Sequence, residues 1–166
     1  MIVFDSSTMI LLAKIDMLEM FVSSFHGKVL IPERVKAETC KKGREETPLI
    51  LKLINDKKIY VINVKRDKQI KKIMEDFNID VGEAEVLILA IQKGVSTIAT
   101  DDKNAIRACK LLKIHFVTAI AFLIRAFERG LIERDEALFK LQKLQSYGRY
   151  SKVILDDATN HIKGGI

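Results

Sequence analysis

Asp5 stands directly behind the apolar triplet Ile2-Val3-Phe4, and Asp101 with Asp102 stands directly behind the run Ser96-Thr97-Ile98-Ala99-Thr100. Two further acids, Glu38 and Glu83, fall within stretches of helical period, and Glu85 follows two residues after the second. Carboxylates gathered at one place cannot all stay ionised unless a cation compensates them, because like charges a few ångströms apart repel strongly. A hard divalent ion solves this: Mg²⁺ takes oxygen from one or two carboxylates and keeps several of its waters. Such an ion turns a bound water into a nucleophile and polarises a phosphodiester, and a second ion about 3.5–4 Å away can hold the leaving oxygen. The chemistry to which these residue types point is hydrolysis of a phosphoester.

Each acid also has a purely structural use. Asp5 is a preferred cap for a helix starting near Ser6 or Ser7. Asp80 and Glu83 have the spacing of a capping box. Glu38 lies among Lys36, Lys41 and Lys42, where an exposed helix pairs charges, and Asp101 or Asp102 can open the helix from Lys103, whose dipole favours negative charge. Lys103 and Arg107 are candidate phosphate contacts beside the acids, or solvated charges. His26, His115 and His161 are scattered without the spacing of zinc ligands. Phe77, Tyr147 and Tyr150 could stack on bases, but no aromatic RNA-binding motif accompanies them.

Strands must bring these residues together. Short β-branched runs at Ile2-Val3-Phe4, Val29-Leu30-Ile31, Ile59-Tyr60-Val61-Ile62, Ser96-Thr97-Ile98-Ala99 and His115-Phe116-Val117 fit strands buried on both faces. Helical segments lie between them, from Met9 to Phe21, Glu33 to Lys42, Thr47 to Asn55, Lys68 to Phe77, Glu83 to Lys93 and Lys103 to Leu112. Alternation of this kind predicts an α/β fold with a parallel sheet. In such sheets ligands bind at the carboxyl ends of strands where the strand order reverses. If the fourth strand returns beside the first, Asp5 and Asp101 meet at that point. The remainder is wholly helical, from Ala119 to Arg129, Glu133 to Ser146 and Lys152 to Ile162, with Leu131, Leu138, Leu141 and Leu144 marking a packed face. This tail covers the sheet edge or forms a dimer surface.

Composition sets the outer bounds. The 166 residues, 48% hydrophobic, suffice for one domain over residues 1–166, with a core of about 1–125 and a helical C-terminal extension of about 126–166. Cys40 and Cys109 lack a C-x-x-C spacing and read as reduced thiols of a cytoplasmic protein. The segment ahead of Asp5 is too short for a signal-peptide core, and no apolar run reaches the length of a membrane span. A net charge of +6 and a pI near 9.3 make polyanions plausible partners. The run Lys65-Arg66-Asp67-Lys68 with Lys71-Lys72 reads as an exposed helix face that also steers RNA.

Taken together, Asp5-Ser6-Ser7 after an opening strand, an acid on the helix after the second strand, Asp80-Val81-Gly82-Glu83-Ala84-Glu85 and Thr100-Asp101-Asp102 after the fourth strand resemble the PIN domain, over about residues 1 to 125. With Arg107-Ala108 and Glu128-Arg129-Gly130-Leu131, the chain is most similar to a prokaryotic PIN-like subgroup. The resemblance implies a three-layer α/β/α fold with a five-stranded parallel sheet of order 3-2-1-4-5. It also implies cleavage of single-stranded RNA with Mg²⁺ or Mn²⁺, in a family many of whose members are toxins held by an antitoxin protein. Homodimers are the commonest assembly. By carry-over Asp5, Glu38, Glu83 and Asp101 are the catalytic acids, and Ser7 and Thr100 orient carboxylates or waters. Toxin-type members carry Asp where Glu83 stands, so Glu85 competes for that place as a metal ligand. The usual Thr-x-Asp spacing points to Asp102, whereas the strand end points to Asp101.

Two other readings compete. An aspartyl-nucleophile phosphatase on a similar sheet wants a second Asp two residues after the first, where this chain has Ser7, and a receiver-type phosphotransferase wants Asp at the end of the third strand, where it has Asn63. A PIN-like module that binds RNA or protein without cutting keeps the fold and loses the chemistry.

Overall fold

The computed structural model describes residues 1–65 and 67–164; Arg66 of the basic run and Gly165 and Ile166 at the end of the extension lie outside the described residues. Among the described residues the order is β1 (Ile2–Phe4), α1 (Ser6–Lys14), α2 (Leu18–Ser24), β2 (Val29–Pro32), α3 (Glu33–Thr39), α4 (Thr47–Asn55), β3 (Ile59–Ile62), α5 (Asp67–Phe77), α6 (Val81–Lys93), β4 (Thr97–Ala99), α7 (Lys103–Leu112), β5 (His115–Val117), α8 (Ala119–Glu128), α9 (Arg134–Tyr147) and α10 (Lys152–Gly164).

The strands form one sheet in the order β3-β2-β1-β4-β5. Every pairing is parallel, with Val3 opposite Leu30 on one side and Ile98 on the other. Helices cover both sides of this sheet: α6 packs across β1, β2 and β4 with α5 and α7 beside it, while α1, α8, α9 and α10 pack on one another. The fold matches the α/β/α expectation, strand order included. Its chain reversal falls between β1 and β4, the two strands that precede Asp5 and Asp101.

The sheet's outer strands depart from the expectation of burial on both faces. Tyr60 on β3 is 38% exposed, and His115 on β5 is also exposed, because each strand is an edge with a neighbour on one side only. The segment from Met9 to Phe21 is likewise not one helix. After Lys14 the chain passes through Asp16 in the left-handed region, φ 57°, a conformation that Asp tolerates better than most residues. The helix after β2 stops at Thr39, with Cys40 as its cap, rather than reaching Lys42.

The centre of the sheet is dry. Val3, Phe4, Ile31 and Ala99 have no exposed surface, and Phe4 packs against Phe21 of α2 and Phe122 of α8, each at a ring-centroid distance of 5.7 Å, while those two rings meet each other at 4.5 Å. Those contacts bring α2 and α8 to one face of β1. Helix α6 is buried along Val86 to Ala90. The hydrophobic core takes in Leu141 and Leu144 of α9 and Ile162 of α10, with Leu138 packed against it; Leu131, marked with them by its spacing, is instead 53% exposed in the α8–α9 connection.

Candidate active site

At three strand ends a side chain caps the first turn of the helix that follows; α3, which follows β2 directly, has no such cap. Asp5 caps α1 by accepting from the Thr8 amide at 2.8 Å; Asp102 caps α7 by accepting from the amides of Asn104 and Ala105, both at 2.8 Å; Thr118 caps α8 through the Ala121 amide. Because β1 and β4 are adjacent, the first two of these turns lie side by side. The backbone locks them together: the Asp5 amide donates to the Ala99 carbonyl at 3.0 Å.

Asp5 is 3% exposed. Ser7 Oγ donates to both of its carboxylate oxygens at 3.0 Å, and Thr100 Oγ1 donates to Oδ2. Ser7 and Thr100 therefore orient the Asp5 carboxylate. Burial pushes the pKa of Asp5 up to about 6; the three hydrogen bonds pull it back in part, and the charge of Asp101 adds to the rise.

Asp101, not Asp102, turns toward Asp5. Its Oδ2 accepts from Thr8 Oγ1 at 2.6 Å and from the Ala119 amide at 3.0 Å, and its Oδ1 accepts from Tyr150 Oη at 2.6 Å and from the same amide at 3.2 Å. The Ala119 amide belongs to the first turn of α8, where backbone donors lack intrahelical partners and negative charge is favoured. Asp102 is occupied as the α7 cap. One of the pair thus serves the helix, while the other is held by Thr8, Ala119 and Tyr150.

Glu83 holds two positions at once. Its amide donates to Asp80 and its carboxylate accepts from the Asp80 amide, completing the capping box at 2.9 and 3.0 Å. Its pKa is raised to about 7, by burial first and then by the charges of Asp80, Asp102 and Asp5, against the lowering effect of the Asp80 amide. The structural use foreseen for Glu83 is present, and the same carboxylate feels the site acids. Glu38 is held from the other side by Ser6 Oγ at 2.7 Å. It can come this close to α6 because residue 82 is glycine: a Cβ there would stand 2.7 Å from Glu38 Oε1. Burial raises the pKa of Glu85, and the charges acting on it belong to Arg34, Glu38 and Glu33 on α3, not to Asp5 or Asp101. Lys103 and Arg107 are exposed on α7.

Sequence reasoning passed over three residues here. Ser6 and Thr8 flank the serine that it chose, and their partners lie 32 and 93 positions away. Tyr150 was considered only as a base-stacking aromatic, but its hydroxyl is spent on Asp101. Burial and then Asp101 push the phenol's pKa well above its usual value, so it remains a donor. A cavity of about 740 Å³ lies away from all these acids, between α2, α8 and β5, with Phe21, Phe25, Phe116 and Phe122 in its walls. Its lining holds no carboxylate.

The donor set at that cluster is all oxygen, which suits Mg²⁺ or Mn²⁺ and does not favour zinc. Among the described residues no group of three or more His, Cys, Asp or Glu side chains is placed so that it could hold a metal ion. Mg²⁺ does not need such a group, since it is commonly bound by one or two carboxylates with water completing its octahedron. Two carboxyls whose buried surroundings resist ionisation are what a divalent cation would relieve, so the residues fit the ion.

A protein-family model described as a PIN domain matches residues 1–161. No curated protein matches the chain.

Proposed function

The chain belongs to the PIN-domain family, and from that premise we propose that it is a Mg²⁺- or Mn²⁺-dependent endoribonuclease that cuts single-stranded RNA. PIN domains are typically nucleases and generally use divalent metal ions. What supports the finer reading is that burial raises the pKa of Asp5 to about 6 and that of Glu83 to about 7, while Asp5 feels the charge of Asp101 and Glu83 feels the charges of Asp102 and Asp5.

In this reading Asp5 and Asp101 hold the ion, and Glu83 completes the acidic side from α6. When bound, the ion supplies an activated water and a counter-charge for the phosphodiester. The chain's own residues fix the geometry. Ser7, Thr100 and the Thr8 amide stop the Asp5 carboxylate from rotating, and Thr8, Ala119 and Tyr150 do the same for Asp101. Such preorganisation matters because catalytic groups must be held in place before substrate arrives. Glu38 of α3, anchored by Ser6, is the fourth acid, and its carboxylate lies against Gly82 of α6. Lys103 and Arg107, exposed on the helix that follows Asp102, contact the RNA backbone. The net charge of +6 draws the polyanion in. A role as the toxin of a toxin/antitoxin pair follows if an antitoxin protein blocks this cleft.

Incubating the purified chain with single-stranded RNA tests the proposal in three arms: Mn²⁺, EDTA, and Mn²⁺ with the Asp5→Asn variant. Cleavage in the first arm alone supports it. Equal cleavage in all three removes the metal-dependent hydrolase, and no cleavage in any, with RNA still bound, identifies a non-catalytic module.

A further inference from the structure

Within that reading, on which this inference rests, we infer that Tyr150 is a positioning residue: from the α9–α10 connection of the C-terminal extension, its hydroxyl fixes the rotation of the Asp101 carboxylate.

The two oxygens of Asp101 are not held alike. Oδ2 accepts from Thr8 at 2.6 Å and from Ala119 at 3.0 Å, whereas Oδ1 has only the 3.2 Å contact to Ala119 besides Tyr150 at 2.6 Å. Remove the phenol, and one oxygen keeps two donors while the other keeps a single long one. The carboxylate can then turn about its terminal bond, a torsion that is broad when nothing restrains it. Tyr150 is thus the short donor that holds the Oδ1 side of the Asp101 carboxylate.

The extension is shaped to deliver this hydroxyl. Helix α9 ends at Tyr147 and is capped by Gly148, whose amide donates to the Leu144 carbonyl at 2.7 Å. The chain then folds so that the Tyr150 ring lies over that glycine. A Cβ at residue 148 would stand 2.4 Å from the ring, so the absence of a side chain there is what lets the ring turn inward. The ring packs against the hydrophobic core, which limits its own motion. Asp101 is therefore clamped by α1, by the first turn of α8 and by the α9–α10 connection. Outer groups that orient metal-binding carboxylates commonly change metal affinity or activity 10- to 100-fold when removed.

The test uses the full chain and Tyr150→Phe, which keeps the ring and deletes one hydroxyl. Three quantities are read: the thermal midpoint without metal, the Mn²⁺ dissociation constant by calorimetry, and kcat and KM separately for a single-stranded RNA. The expected result is a midpoint within a few degrees of the native one, Mn²⁺ binding weakened about tenfold or more, and kcat lowered with KM little changed. A variant that loses midpoint but keeps native Mn²⁺ affinity and kcat overturns the inference and makes Tyr150 a packing residue, leaving the nuclease reading intact. A native chain that neither binds Mn²⁺ nor cuts RNA overturns both.

Discussion

Thr8 Oγ1 donates to Asp101 Oδ2 at 2.6 Å, joining the first turn of α1 to the end of β4 across 93 positions of sequence. Thr8 is fully buried, and its amide caps on to Asp5 at the same time. One residue thereby ties both strand-end acids to a single turn of helix.

Thr8→Val keeps the shape and the amide while deleting the hydroxyl. A partly buried carboxylate oxygen loses its shortest donor, a change that costs about 1–3 kcal/mol. Urea unfolding should show a loss of that size, and RNA cleavage should fall with it. A variant as stable and as active as the native chain would remove Thr8 from the account.

The pKa shifts set a pH dependence whose sign runs against habit. Asp5 and Glu83 hold their protons more tightly in the folded chain than their usual values, 3.8 and 4.5, because burial raises them to about 6 and about 7. The unfolded chain therefore releases these protons first as pH rises, and stability falls between about pH 4 and 7. For Asp5 alone the fall amounts to about 3 kcal/mol. Thermal midpoints of the metal-free chain should drop across that window, and Asp5→Asn should flatten the drop. Adding Mn²⁺ should raise the native midpoint more at pH 7.5 than at pH 5, since metal binding displaces protons. A midpoint that climbs steadily with pH in the absence of metal would contradict the burial of these acids.

At residue 82 the argument concerns space. Gly82→Ala suits the helix, where Ala is favoured over Gly by about 1 kcal/mol, but its new Cβ would press on Glu38 Oε1. Glu38 ends in a flexible side chain and can swing away, breaking the bond from Ser6. Unfolding free energy should change by about 1 kcal/mol or less, while steady-state cleavage falls tenfold or more. Full activity in this variant would show that Glu38 need not be held there.

The sequence makes some of this readable and hides the rest for a physical reason. Strand runs and the helices between them carry the sheet, since parallel strands buried under helices are continuous apolar runs. Asp5 and Asp101 are readable because a residue that follows a strand lies at its carboxyl end. The capping spacing of Asp80 and Glu83 is also local. Thr8 and Tyr150 act on Asp101 from 93 and 49 residues away, and no local pattern encodes a partner at such separation. Gly82 is visible as a glycine in a helix, but its meaning depends on how closely α3 passes. The split between α1 and α2 turns on one left-handed residue, Asp16, within an otherwise continuous apolar pattern.

Most directly, crystals of the chain soaked in Mn²⁺ can be measured for anomalous density at the β1–β4 switch point. The account predicts a peak within first-coordination distance of both Asp5 and Asp101, on the side facing Glu83, with Asp102 still capping α7. Density confined to exposed acids such as Glu33 and Glu75, at Mn²⁺ levels that support cleavage, would contradict it.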